Sequence, residues 1–165
     1  MTRDEIRAAF AAADQRLESL RDAINASPEA ALLSGEWRVR DALSHIAARS
    51  NSLPIAERWL ERVAATPADQ PAAIPDIHEV NAGQVRDRTG LSPAQLIDEA
   101  IAGHRAVVDR LDALDDDLLA KPIHIPARNI DTTFAAFLVM AGPGHEGNHL
   151  NDIEAALAPA QEPAS

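Results

Sequence analysis

From Thr2 to Asn25 the chain carries an unbroken apolar row, Ile6, Phe10, Ala13, Leu17, Leu20 and Ile24, at the three- and four-residue spacing that lines one helix face. Thr2 and Glu5 stand at capping-box spacing at its start. Such a helix gains most of its stability by burying its stripe against partners. The remaining sequence supplies three of them. A second helix is expected from about Arg38 to Ala65, with Leu43, Ile46, Ala47, Leu53, Leu60 and Val63 as its apolar positions and Pro54 kinking or splitting it. A third starts at Ser92, with Pro93 in its first turn, and runs to about Asp116 through Leu96, Ala100, Ile101, Val107, Val108, Leu111 and Leu114. A fourth is expected from Asp131 or Thr132 to Leu157, interrupted by Gly142-Pro143-Gly144.

Between these lie Thr66 to Ile77, which reads as a loop, a short helical piece from His78 to Arg88, and an extended crossover from Lys121 to Asp131 around Pro122 and Pro126. Helices of roughly 35–40 Å at 1.5 Å per residue suit a four-helix bundle. Residues 1–158 are expected to form this single domain and residues 159–165 a flexible tail.

Composition narrows the chemistry. The chain of 165 residues has no cysteine, so any metal must be held by imidazole or carboxylate and any thiol must come from outside. A net charge of −11 argues against nucleic acid as a partner. Five aromatic side chains, Phe10, Trp37, Trp59, Phe134 and Phe137, are too few for base-stacking platforms. The amino terminus enters an amphipathic helix, not an apolar signal segment, and no apolar run reaches membrane-spanning length. The expectation is a cytoplasmic protein without a membrane partner.

Three histidines carry the chemical signal. His145 and His149 have the i,i+4 spacing that puts both imidazoles on one helix face, where one divalent ion can bridge them. The row Phe134, Leu138, Ala141, His145, His149, Asp152 places them in register with core residues. His45 lies at the edge of the second helix's buried face and completes the set if the second and fourth helices are neighbours. Three protein ligands with an open position are the form of a catalytic metal site. Asp41 and Asp152 each lie one turn from a histidine, where a carboxylate can hold a ligand's other ring nitrogen, and Asp41 reads equally as an exposed carboxylate near the helix start. His104 falls in the third helix's stripe, as a hydrogen-bonded core histidine or a residue of the site. Arg86 and Arg88, near the expected cleft mouth, are either carboxylate-binding or solvated. His78 and His124 have no evident partner, and Trp37 and Trp59 read as packing residues.

Trp37-x3-Asp41-x3-His45, Asn81, the Ser92-Pro93 helix start and His145-x3-His149-x2-Asp152-Ile153 together resemble the DinB-like superfamily over about residues 3–157. The resemblance is closest to the branch that includes the amino-terminal domain of mycothiol-dependent maleylpyruvate isomerase. It implies an all-α, up-down-down-up four-helix bundle, a Zn2+ or Ni2+ ion on His45, His145 and His149, and a homodimer. It also implies a low-molecular-weight thiol such as mycothiol or bacillithiol as co-reactant. Asn81 matches a family position without a role that its chemistry alone suggests. In the isomerase branch the fourth-helix motif more often reads Glu-x3-His, and here His145 takes the first place. The chain ends after the bundle, so maleylpyruvate itself is not the expected substrate. The expected function is a metal- and thiol-dependent S-transferase or isomerase acting on a small electrophile. The alternatives are a non-catalytic bundle that binds metal or sequesters a small ligand, and a metal-free bundle in which the histidines pack.

Overall fold

Thr2 opens α1 (Arg3–Ala26) with a full capping box: its hydroxyl accepts the Glu5 N–H, and the Glu5 carboxylate accepts the Thr2 N–H. The computed structural model describes residues 1–33, 35–65, 76–125 and 129–158. Of the expected stripe, Ile6, Phe10, Ala13, Leu17 and Ile24 are buried and Leu20 is half-buried. The expected second helix is split into α2 (Val39–Arg49) and α3 (Leu53–Ala65). Pro54 explains the break: with no N–H to donate, it is tolerated in the first turn of α3 but not within a continuous helix. The expected loop lies outside the described residues except for its end, where Asp76 caps α4 (Ile77–Arg86) by accepting the N–H groups of His78 and Glu79.

α5 (Pro93–Val108) starts with the Ser92–Gln95 capping box but stops well short of Asp116. A 3₁₀ turn (Leu111–Ala113) and α6 (Asp116–Leu119) follow. The Arg3 guanidinium explains the correction, because it takes the carbonyls of Leu111 and Leu114 and pairs with Asp116, giving non-helical backbone its partners. The extended crossover is a hairpin of β1 (Pro122–Ile125) and β2 (Ile130–Thr133), paired antiparallel from Pro122↔Thr133 to Ile125↔Ile130. Asp131 and Thr132 therefore lie in a strand and do not begin the fourth helix. That helix starts as α7 (Phe134–Ala141), capped by the Thr133 hydroxyl accepting the Ala136 N–H, and resumes after Gly142 as α8 (Pro143–Leu157). The tail lies outside the described residues, and no described helix is long and apolar enough to cross a membrane.

The contacts between helices give the topology. α1 runs antiparallel to α5, since Arg21 pairs with Asp98 while Arg7 pairs with Asp112. α1 runs parallel to α8, since Asp14 and Glu146 flank one histidine and Arg16 reaches Glu154. α2 runs parallel to α5, with Arg40 bonding Thr89 at one end and Ser50 against Gly103 at the other. α2 opposes α8, with His45 beside His145 and Ser52 beside Gly142. The bundle is thus mostly helical and up-down-down-up, with helices in the spatial order α1, α5, α2, α8.

Two hydrophobic clusters fill it. One gathers Ile6, Phe10, Leu53, Val107, Phe134 and Leu138, the other Leu17, Ile24, Leu43, Ile46, Leu96, Leu150 and Ile153. α1 and α5 cross from one cluster to the other, as the chain does between α3 and α2 and between α7 and α8, and polar groups lie at that level: Asp14 on α1, Ser50 and Ser52 after α2, His104 on α5, and His145 and Glu146 on α8. A polar layer therefore divides the core.

Gly103 lets α5 approach α2 at this layer. A Cβ there would stand 2.0 Å from Ser50 Oγ and 2.9 Å from the Asn51 backbone nitrogen. Ala is worth about 1 kcal/mol over Gly in a helix, but the Asn51 backbone cannot swing away as a side chain can. We expect Gly103→Ala to destabilise the protein by about 1–3 kcal/mol, read as a lower urea midpoint. A midpoint at or above the wild-type value would show that the two helices have slack.

Candidate metal centre

The segment before α2 is tightly held. Leu32 N–H donates to the Trp37 carbonyl and Val39 N–H to that of Ala30, around an isolated Ala31↔Arg38 bridge. Asp41 then ties down the helix start. Its carboxylate accepts the Arg38 backbone N–H at 3.0 Å and the guanidinium at 2.8 and 2.9 Å. Although burial acts to raise the Asp41 pKa, these Arg38 bonds prevail and hold it below the usual range. Asp41 is buried, not an exposed surface carboxylate, and its partner is Arg38, not His45. It acts one turn ahead of His45 by setting where α2 begins.

His45 is 2 % exposed. Its Nδ1 lies 2.6 Å from Gln84 Oε1, so Nδ1–H donates to the amide and the lone pair sits on Nε2. That Nε2 lies 2.8 Å from His145 Nε2, which lies 3.3 Å from His149 Nε2. The ligand atoms of the three histidines all fall within 4.8 Å of one another. Imidazole nitrogens 2.0–2.1 Å from one tetrahedral ion stand about 3.3 Å apart. The His145–His149 spacing of 3.3 Å meets this, and the His45–His145 spacing of 2.8 Å is somewhat tighter. Burial, with the charges of His149 and Arg49, pulls the His45 pKa down to about 4 against the pull of Gln84. Burial also lowers that of His149, with Asp152 opposing and Arg49 assisting. Histidines held neutral with convergent lone pairs are the donor set a divalent ion requires.

Trp37 covers this cluster, with ring centroids 5.2 Å from His45 and 5.8 Å from His149, the latter stacked at 28°. Two cavities reach it. One, of about 520 Å³, touches His149 and is lined by Glu36, Trp37, His78, Asn81 and Asp152. The other, of about 230 Å³, touches His145 and is lined by Arg49, Ile125, Phe137, Met140 and Asn148. Asp152 is half-buried, and the buried Asn81 Oδ1 has no hydrogen-bond partner among the described residues. Arg86 is exposed on a shallow surface beside Trp37 and Asp41, while Arg88 pairs with Glu99. Trp59 packs on Phe137, and His124, which had no evident partner in the sequence, bonds Asp131 across the hairpin.

The break at Gly142 shifts the register of the fourth helix. Glu146, Leu150 and Ile153 face the core, while His145 and His149 are half-buried toward α2. The buried place is needed for His104, which is 0 % exposed. Its Nδ1 lies 2.6 Å from Asp14 Oδ1 and its Nε2 lies 2.8 Å from Glu146 Oε2. Ionised carboxylates only accept, so both ring nitrogens donate and His104 is an imidazolium. Burial acts against that charge, but the hydrogen bonds and fields of Glu146 and Asp14 outweigh it and raise the pKa. Asp14, Gln84, Arg49 and Glu146 are absent from the sequence-based set of site residues. Only Glu146, inside the His145–His149 motif, carries a local signal.

A histidine with a raised folded pKa binds its proton more tightly in the native state. Its stabilisation is complete below the unfolded pKa of about 6.5 and is lost as pH rises through the folded value. Metal-free protein should therefore lose stability in urea titrations as pH rises above about 6.5 and through the raised folded pKa of His104. His104→Gln should be less stable throughout and flatter over that range. Equal slopes would mean that the imidazolium is not the group responsible.

The sequence profile of the mycothiol maleylpyruvate isomerase N-terminal domain family matches residues 7–141, a span that ends just before His145 and His149. No curated protein matches the sequence. Among solved structures, an uncharacterised protein from Clostridium difficile 630 superposes with a TM-score of 0.67 at 10 % identity, over 94 % of this chain and 95 % of its own. A protein titled Sibling Lethal Factor Precursor, DfsB, superposes with a TM-score of 0.65 at 12 % identity, over 94 % of both chains. At such identity these two neighbours speak for the fold alone. With the matched span covering α1 through α7, the chain belongs to the mycothiol maleylpyruvate isomerase N-terminal domain family, a DinB-like helical bundle.

Proposed function

We propose that this protein is a metal-dependent enzyme that joins a low-molecular-weight thiol to a small electrophile, or uses the thiol to isomerise it. The observation that carries the reading is the convergence of three Nε2 atoms, with His45 held in the required tautomer by Gln84. The family's association with mycothiol supplies the thiol class, and the absence of cysteine fits a thiol from outside.

His45, His145 and His149 would hold Zn2+ or Ni2+, both of which suit imidazole ligands. A bound divalent ion supplies one thing here, a thiol held as its thiolate at neutral pH. The chain does the rest. Gln84 orients His45, Trp37 shields one side of the histidines from water, and the two cavities give a thiol and an electrophile separate approaches. Asn81 Oδ1, buried beside His149 without a partner among the described residues, is an acceptor available to a hydroxyl or amide of the thiol's body. Asp152 shares that cavity and partly offsets the positive field of Arg49 at His149.

Metal analysis of untagged protein should find about one Zn2+ or Ni2+ per chain, lost in folded His45→Ala and His149→Ala. Gln84→Leu should weaken affinity about 10- to 100-fold, the usual cost of losing a ligand's hydrogen-bond partner. Because the His45 pKa is depressed to about 4, protons compete for it only well below pH 6. Metal should stay bound through the range where a free imidazole releases it and leave as pH falls toward 4.

Activity is tested by mixing metal-loaded protein with mycothiol or bacillithiol and monochlorobimane, then following the fluorescent adduct. Faster adduct formation, returning to background in His149→Ala, is the expected result. Rates equal to the protein-free reaction across thiols and electrophiles, with metal bound, would favour a binding protein over an enzyme.

A further inference from the structure

Arg49 is the last residue of α2, one turn beyond His45. Its Nε is buried with no hydrogen-bond partner among the described residues. Among the described residues no carboxylate pairs with its guanidinium, in a chain where acidic residues outnumber basic ones 26 to 15. Glu146 exerts a field on it, but that carboxylate is spent on His104. Burial alone pulls the Arg49 pKa downward, yet a guanidinium does not release its proton in proteins, so the charge stays. Arg49 is half-buried, and a partly desolvated guanidinium with no carboxylate partner among the described residues favours an anion at its open nitrogens.

The surroundings say what partner fits. Arg49 opens on the 230 Å³ cavity that touches His145, whose lining combines the apolar Ile125, Phe137, Met140 and Ala141 with the polar Asn148. The cavity is smaller than those that hold drug-sized ligands. A phosphate would find one cation and few further donors there. An organic carboxylate finds a planar fork for its charged end and apolar walls for its carbon skeleton.

We propose that this cavity binds a small organic carboxylate, with Arg49 donating to its oxygens and Phe137, Met140 and Ile125 packing on its hydrocarbon part. Naming this molecule as the electrophile rests on the thiol-transfer reading above; the anion site itself does not. Arg49 would then be a specificity-determining residue that sets the carboxylate end of the substrate away from the histidines.

The test uses the full chain, both zinc-loaded and stripped with chelator, titrated with benzoate and crotonate and with the neutral benzamide and crotonamide. Amide shifts of Met140, Ala141, Gly144 and Asn148 in nitrogen–proton correlation spectra report the site. We expect at least one carboxylate to bind about tenfold or more tightly than its amide, the worth of one charged hydrogen-bonding partner. The preference should disappear in Arg49→Gln and survive in part in Arg49→Lys. Binding that persists in stripped protein supports the anion site even if the thiol reading fails. Equal affinity for carboxylate and amide in the wild-type chain overturns the proposal without relying on any variant. So does carboxylate binding that needs zinc and ignores Arg49.

Discussion

The cluster of His104 with Asp14 and Glu146 governs the middle of this bundle. Charges this deep are tolerated only when paired and fully hydrogen-bonded, and removing one partner of such a cluster typically costs about 3–5 kcal/mol. The cluster joins α1, α5 and α8, so it fixes not only their spacing but also the rotation of α8 about its own axis. With Glu146 turned into the core, His145 and His149 can only face α2, where His45 waits. An apolar residue at 146 would leave α8 free to roll, because a hydrophobic contact is far less directional than a bidentate carboxylate.

The same layer is where the helices break. α2 ends at Arg49 and α7 ends at Ala141, and Ser52 lies against Gly142 across the gap, with a Cβ on that glycine standing 3.1 Å from the Ser52 hydroxyl. Broken helices leave backbone groups without helical partners, and local departures of this kind cluster at functional sites. Here the breaks have a geometric use. They allow the two halves of each helix to follow different hydrophobic clusters, and they place one histidine pair and one arginine at the seam.

The cluster of three histidines was legible because its signal is short-range: an i,i+4 pair on one helix and a histidine spaced from Trp37 and Asp41 on another. The bundle was legible from the stripes, and the split at Pro54 from proline's missing N–H. What failed depended on partners far away in sequence. The third helix was read through to Asp116 because its stripe continues to Leu114, and the capture of the Leu111 and Leu114 carbonyls by Arg3 has no local sign. The fourth helix was started too early because Asp131 and Thr132 look like caps, while the hairpin that claims them depends on pairing with Ile123 and His124. His104 read as a core histidine, but the residues that hold it charged lie 90 and 42 positions away. Gln84 stands 39 residues from His45 on a helix with no buried residues, where nothing in its neighbours marks it out.

The electrostatics of the site follow from combining these elements. Arg49 disfavours protonation of both His45 and His149, so the positive charge that the histidines forgo is carried instead by a group that cannot titrate. A fixed cation beside neutral imidazoles repels a dication to some degree, and Asp152 and the carboxylate of Glu146 offset part of that repulsion. What the arrangement favours without offset is an anion at the remaining position. Under the proposed reading, a thiol losing its proton and a carboxylate staying ionised would both be stabilised by this field. With the Arg49 guanidinium lining one cavity, and the acceptor-rich residues Asn81, Glu36 and Asp152 lining the other, the cluster of histidines has two chemically distinct approaches.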